Sequence, residues 1–100
     1  DVKILVLDHH ICEIDLNDVP NNTVIVNNQI NEVSKYGSGT LVTAKFVEAF
    51  DCDIMKYEDL IAASIVADSM DCMQVENRAF INEGLNNIQN PLIKEYFNNK

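Results

Sequence analysis

The chain has 100 residues, 47% of them hydrophobic, with three glycines and two prolines, which indicates one small globular domain or part of one and excludes a disordered chain. Its formal net charge of -9 argues against this segment supplying the basic surface that dominates nucleic-acid affinity, so either the substrate is small or the basic groove lies elsewhere. The apolar runs are too short to span a bilayer and the first residues do not resemble a signal peptide, so we expect a cytoplasmic protein with no membrane partner.

The three cysteines, Cys12, Cys52 and Cys72, are odd in number and share no CxxC spacing. This pattern fits neither a disulfide framework nor a zinc site. We therefore predict reduced structural thiols that are buried or half-buried.

The opening segment, residues 2–7, is apolar apart from one lysine and leads directly into Asp8, His9 and His10, which include both histidines of the chain. Such a short β-branched run predicts a strand of a parallel sheet that is buried on both faces. Ligands of open α/β sheets bind beyond the carboxyl ends of the strands, which makes these three residues a candidate site.

Imidazole and carboxylate groups at that position suit a divalent metal. Adjacent side chains on an extended strand point to opposite faces, so we expect one histidine to ligate and the other to turn to a phosphate or to the far wall. A solvated pair of histidines at a strand end is the alternative.

A polar connection with scattered acids, residues 11–22, precedes a second apolar strand, Thr23–Asn27. Paired asparagines and a proline favour a turn at the end of this connection. Its acids, Glu13, Asp15 and Asp18, have no spacing that converges on a ligand, so we interpret them as solvated.

A polar loop reaching Tyr36 leads to Ser38, a natural N-cap, with Gly37 and Gly39 allowing a sharp turn. The helix is predicted over Thr40–Phe50, with one apolar face formed by Val42, Phe46, Ala49 and Phe50. Its N-terminus would suit a phosphate at Ser38 and Gly39, although such a turn is also common as simple capping.

The segment from Tyr57 to Met70 is apolar on nearly all sides, which predicts a buried helix. Asp68 lies near its end, and a buried carboxylate is rarely tolerated unless it is paired or binds a metal. The alternatives for Asp68 are a helix end that reaches water or a partner such as Arg78, while Asp71 is interpreted as surface.

A further helix is predicted over Glu76–Ile88, with Ile81, Leu85 and Ile88 on one face. In so acidic a chain Arg78 is expected to form a structural ion pair rather than a phosphate contact. Asn90-Pro91 then interrupts the helical pattern, and a short amphipathic helix is predicted after it.

Several motifs occur in the order seen in one enzyme family. Leu7-Asp8-His9-His10, the second strand and Gly37-Ser38-Gly39-Thr40 resemble the DHH phosphoesterase family. The run from Glu58 to Met70, followed by Glu76-Asn77-Arg78 and Glu83-Gly84-Leu85, is similar to RecJ-type single-strand exonucleases.

This resemblance implies an α/β fold, a parallel sheet with flanking helices that forms the second half of a DHH catalytic domain. It implies a 5′ to 3′ single-stranded DNA exonuclease with two Mn²⁺ or Mg²⁺ ions. By resemblance His9 and Asp68 are metal ligands and His10 contacts the scissile phosphate. Asp8 is either a further metal ligand or a residue that orients the ligands without binding the metal itself.

The family's first two motifs, which carry aspartates, should precede residue 2, so residues 1–100 are expected to be a partial domain with little catalysis of its own. The acidic charge favours a second hypothesis, a phosphoesterase for short oligonucleotides, cyclic dinucleotides or pyrophosphate. A third is a noncatalytic binding module. An exposed sheet edge would also favour self-association.

Overall fold

The computed structural model describes residues 2–98, which form a mixed α/β structure. Two strands pair in parallel, and helices follow them in the chain. The elements of this described part are β1 (Ile4–Asp8), β2 (Thr23–Asn27), α1 (Asn28–Asn31), α2 (Gly39–Glu48), α3 (Glu58–Ala67), α4 (Val75–Asn86) and α5 (Pro91–Asn98), with turns of 3-10 helix at Leu16–Asp18 and Ile54–Tyr57. The predicted α/β class and parallel sheet are confirmed.

The register of the sheet brings the carboxyl ends of the two strands together. Ile4 lies opposite Thr23, and Asp8 lies opposite Asn27. The second strand has the predicted bounds, and the exposed connection between the strands contains a 3-10 turn. The polar segment after β2 begins with a helical turn, α1, because the Asn27 side chain accepts a hydrogen bond from the Gln29 N–H at 2.8 Å.

The burial predicted for β1 on both faces is wrong for the described residues. Ile4 is 46% exposed and Leu5 is 47% exposed. The physical reason is that α2 is the main helical neighbour of β1 in residues 2–98, and one helix leaves much of the two faces of the strand uncovered. An apolar strand is buried only where other elements cover it.

The hydrophobic core lies between α2, α3 and the 3-10 turn that precedes α3. Its buried members are Leu41, Ala44, Ile54, Ile61 and Ile65. The predicted apolar face of α2 is correct at Val42, which is buried, and wrong at Phe50, which is 71% exposed because the helix ends at Glu48. The buried helix predicted after Tyr57 is α3, although Val66 on its outer side is 41% exposed.

Helix α4 packs closely on α3 at Gly84. A Cβ atom there would lie 2.4 Å from the Glu58 carbonyl oxygen and 2.7 Å from the Ala62 Cβ. The residues predicted to form the apolar face, Ile81, Leu85 and Ile88, are all half-buried. Ile81 and Leu85 lie on α4 near this glycine, whereas the helix ends at Asn86, before Ile88. Glycine therefore sets the spacing between the two helices.

A buried acid joins α3 to the turn before α5. Asp59 is 2% exposed, and one of its carboxylate oxygens accepts N–H groups of Gln89 at 2.9 Å and Asn90 at 2.8 Å. Burial alone would raise the pKa of Asp59, but the N–H groups of Asn90, Gln89 and Leu60 hold it below its usual range. The predicted interruption at Asn90-Pro91 is confirmed, and Asp59 fixes its position.

The cysteines are free thiols, as predicted. The prediction that they are buried or half-buried is wrong for two of them, because Cys12 and Cys72 are exposed. Both lie in connections between elements rather than in the core. Within residues 2–98, each helix is too short or too polar to cross a membrane.

Candidate active site

The strand β1 ends at Asp8, and the carboxylate of Asp8 bends the chain that follows. Its Oδ1 atom accepts the N–H of His9 at 2.8 Å and that of His10 at 3.4 Å, and it lies 2.7 Å from Nδ1 of His10. Because the backbone is no longer extended here, the two imidazole rings approach each other, with centroids 4.5 Å apart. The expectation that adjacent histidines point apart holds only for an extended strand.

This contact shifts the charge balance of both partners. The hydrogen bond from the His10 ring lowers the pKa of Asp8, and the N–H of His9 adds to the effect. The same hydrogen bond and the negative charge of Asp8 raise the pKa of His10. The His10 side chain is 75% exposed, so a ring with a raised pKa faces solvent next to the strand end.

The second part of the site is the carboxyl end of α3. Nε2 of His9 lies 3.0 Å from Oδ2 of Asp68, which follows the last residue of that helix. The N–H of Asp68 donates to the carbonyl of Ser64 at 2.9 Å, which holds the backbone at the helix end. The structure thus brings together two residues that the sequence singled out from opposite halves of the chain.

The surroundings of Asp68 differ from the expectation. Its side chain is 50% exposed, whereas that of His9 is 14% exposed. The predicted buried carboxylate is therefore wrong, because the helix end reaches the surface. Its partner is His9 and not Arg78, whose guanidinium lies 3.7 Å from the sulfur of Met73; within residues 2–98 the structure gives Arg78 no ion pair.

A cleft of about 360 Å³ opens beside the pair. Its lining residues come from the end of β1, the first turn of α2 and the last turns of α3: His9, Ser38, Gly39, Thr40, Ser64, Ala67 and Asp68. His10 and Asp8 are not among the residues that line this cleft. Of the two candidate ligand pairs, it is therefore His9 and Asp68 that border it.

The start of α2 forms one wall of the cleft. Ser38 is the predicted N-cap, and its hydroxyl accepts the Leu41 N–H at 3.3 Å. That hydroxyl is buried and lies 2.7 Å from the hydroxyl of Ser64, so a phosphate at Ser38 would have to displace this hydrogen bond. The first N–H groups of α2, at Gly39 and Thr40, have no carbonyl within the helix to pair with.

The two glycines of this turn have different roles. A turn does precede the helix, with the Gly37 N–H donating to the Ser34 carbonyl at 2.9 Å, but neither glycine has a positive φ angle, so the turn does not use the left-handed conformation that favours glycine. A Cβ at Gly37 would lie 2.6 Å from Cδ2 of Leu41, so glycine is needed there for space. A Cβ at Gly39 would lie 3.5 Å from the His9 ring, which is ordinary contact and shows how closely the turn approaches that ring.

The donor atoms of the site are of the types that bind divalent cations. One donor from each of Asp8, His9 and His10 can be chosen so that the three lie within 4.8 Å of one another, and Asp68 approaches His9 at 3.0 Å. Two ligands at right angles around an ion at about 2.1 Å lie roughly 3 Å apart. The separation of His9 and Asp68 matches that of two ligands of one ion and is also that of a hydrogen bond between them, and Asp68 lies outside the group formed by Asp8, His9 and His10.

Two curated proteins are similar to nearly the whole chain. It is 38% identical over 102 aligned residues, which cover 95% of the chain, to the "Putative SPbeta prophage-derived single-strand DNA-specific exonuclease YorK" of Bacillus subtilis (strain 168). It is equally similar to the "Putative single-strand DNA-specific exonuclease yorK" of Bacillus phage SPbeta. The resemblance to single-strand-specific exonucleases is confirmed.

The chain spans 17% of the length of each of these relatives. No protein-family model matches it. No solved structure matches it significantly. The similarity therefore covers nearly all of this chain but only a small part of each relative.

Two polar residues near the site were missed by the sequence analysis. Ser64 is the hydroxyl partner of Ser38, and Asn27, at the end of β2, donates from its side-chain amide to the His10 carbonyl at 2.9 Å. A signal existed for each of them. Ser64 is a polar residue inside an apolar helix, and Asn27 ends the strand that pairs with Asp8.

Proposed function

We propose that this chain is a partial DHH phosphoesterase domain that contributes ligands and phosphate contacts to the metal-dependent hydrolysis of single-stranded DNA. The observation that carries the proposal is the 3.0 Å approach of His9 to Asp68 at the carboxyl end of β1. The names of the two relatives support the substrate class. We propose 5′ to 3′ polarity from the RecJ resemblance alone.

In this proposal His9 and Asp68 are direct ligands of Mn²⁺ or Mg²⁺, and Asp8 ligates a second ion or orients the histidines. A donor set of carboxylate oxygens with imidazole nitrogen favours these ions over zinc, which binds thiolates and several histidines. Such ions supply, when bound, a positive charge that activates water and stabilises negative charge on the phosphate oxygens.

The protein's own groups would then position the phosphodiester. His10, held cationic to higher pH by Asp8, is suited to a phosphate oxygen at the edge of the site. The N–H groups at Gly39 and Thr40 line the cleft at the N-terminus of a ten-residue helix, where the helix dipole favours an anion. Ser38 contributes as the cap that fixes this turn.

The net charge of -9 bears on the substrate. Single-stranded DNA bound in a long groove requires basic or aromatic surface, and in this proposal other parts of a longer protein provide it. The same charge favours the second candidate, a phosphoesterase for short oligonucleotides, cyclic dinucleotides or pyrophosphate, because a small substrate needs no such groove.

Calorimetry with Mn²⁺ tests the ligand set. We expect saturable binding by the chain and its loss in His9→Gln and Asp68→Asn, since each variant removes one of two adjacent ligands. Asp18→Asn is the matched control: it removes one exposed carboxylate in the connection between β1 and β2 and is expected to bind as the unchanged chain does. Equal binding by all four proteins would contradict the proposal.

Hydrolysis assays on the protein at its full natural length separate the substrate classes. We expect Mn²⁺-dependent shortening of a 5′-phosphorylated single-stranded oligonucleotide and no attack on the matching duplex. Faster hydrolysis of a dinucleotide, a cyclic dinucleotide or pyrophosphate would favour the second candidate.

A further inference from the structure

The hydroxyl of Ser64 connects the two helices that border the cleft. It lies 2.8 Å from the carbonyl of Ile61, which can accept its proton. It also lies 2.7 Å from the hydroxyl of Ser38, and either hydroxyl can be the donor in the bond between the two serines. Ser38 also accepts the Leu41 N–H, so the two hydroxyls connect the first turn of α2 with α3.

The hydrogen bond between Ser38 and Ser64 involves residues near both candidate metal ligands, His9 and Asp68. Ser38 and Gly39 line the same cleft as His9, and the space between Gly39 and the His9 ring is only large enough for a Cβ atom in ordinary contact, 3.5 Å from that ring. On the other helix the carbonyl of Ser64 accepts the Asp68 N–H at 2.9 Å. Ser64 thus holds the turn that lines the cleft beside His9 through its hydroxyl and the backbone of Asp68 through its carbonyl.

We propose that Ser64 is a positioning residue that keeps the His9 ring and the Asp68 carboxylate at their 3.0 Å separation. It does so by locking the first turn of α2 to the last turns of α3. The link between Ser64 and a metal site rests on the proposed function. The separation of His9 and Asp68 that Ser64 maintains is nevertheless a property of the metal-free chain.

The substitution Ser64→Ala separates positioning from stability. Alanine has a higher helix propensity than serine, which favours α3. The change also leaves the Ser38 hydroxyl, 1% exposed, without its hydrogen-bond partner Ser64, which disfavours the fold. These two effects oppose each other in thermal stability, whereas nothing replaces the lost connection between the helices.

Nuclear magnetic resonance on the metal-free chain at fixed pH is the first readout. The chain has two histidines, so the ring signals are few and His10→Gln assigns them. We expect Ser64→Ala to shift or broaden the His9 ring signal and Ser64→Thr, which retains a hydroxyl, to restore it. Thr23→Val is the matched control, because it removes a hydroxyl bonded to the Asn22 side chain at the amino end of β2.

Mn²⁺ calorimetry on the same variants is the second readout. Groups that orient metal ligands typically change affinity by about 10- to 100-fold, so we expect roughly 10-fold weaker binding in Ser64→Ala and little change in Ser64→Thr. An unchanged His9 signal in Ser64→Ala overturns the positioning role, whether or not Mn²⁺ binds. A shifted His9 signal in a chain that binds no Mn²⁺ supports the positioning role and counts against the proposed metal site.

Discussion

Gly84→Ala is expected to destabilise the chain by about 2 kcal/mol, because α4 approaches α3 more closely at this point than alanine allows. The added Cβ would lie 2.4 Å from the Glu58 carbonyl oxygen and 2.7 Å from the Ala62 Cβ. One of these atoms belongs to the backbone of α3. Side-chain rotation therefore cannot relieve the clash, and the helices must separate.

Two opposing effects set the magnitude. Overpacking typically costs about 1–3 kcal/mol, and a backbone clash belongs at the upper end of that range. Alanine recovers about 1 kcal/mol of helix propensity, because Gly84 has no positive φ angle that only glycine tolerates. A net loss of about 2 kcal/mol lowers the melting temperature of a domain of this size by roughly 8–16 °C.

Urea and thermal unfolding followed by circular dichroism provide the assay. Gly39→Ala is the matched control, because its new Cβ would make only an ordinary 3.5 Å contact with the His9 ring. We expect that control to remain within about 0.5 kcal/mol of the unchanged chain. A Gly84→Ala variant as stable as the control would refute the close packing of α3 and α4.

Three further changes test other parts of the fold. Because the pKa of Asp59 is lowered in the folded chain, its charge stabilises the fold above about pH 4, and this contribution is lost as the pH falls through the lowered folded value. The stability difference between the unchanged chain and Asp59→Asn should therefore shrink in acid unfolding series, and a constant difference would exclude the charge. Asn77→Ala should cost about 2–3 kcal/mol in urea unfolding, because Asn77 is fully buried and its amide donates to two backbone carbonyls; an effect below 1 kcal/mol would mean that those carbonyls find other donors. β1 has one strand neighbour in residues 2–98, and we predict that its other edge pairs with a second chain. Leu5→Lys should then shift the chain toward monomer in light scattering, whereas a monomeric unchanged chain at high concentration would contradict this prediction.

The sequence predicted the elements better than their surroundings. The bounds of β2 and the cap at Ser38 follow from local chemistry, so they could be derived from neighbouring residues alone. The exposure of Ile4 and Phe50 could not, because burial depends on which elements cover a side chain. The role of Asp59 also required the structure, since its partners belong to a distant turn.

In the candidate site, too, some features follow from neighbouring residues, whereas others depend on contacts between residues that are distant in sequence. The location of His9 at a strand end follows from the apolar run before it and the rule for parallel sheets. Its approach to Asp68 followed from no spacing, and only the family resemblance suggested it. Ser64 was overlooked because a serine in a helix commonly bonds within its own turn, as it does to Ile61, and its second partner lies on another helix.

The contact between His9 and Asp68 also has a consequence for folding kinetics. The contact joins the end of β1 to the end of α3, so the chain between residues 9 and 68 must close into a loop before the contact forms. Local elements such as α3 and α4, which neighbour each other in sequence, can associate earlier at a lower entropic cost. The two site residues should therefore meet among the last events of folding, and partly folded molecules would lack the site while retaining most of their helices.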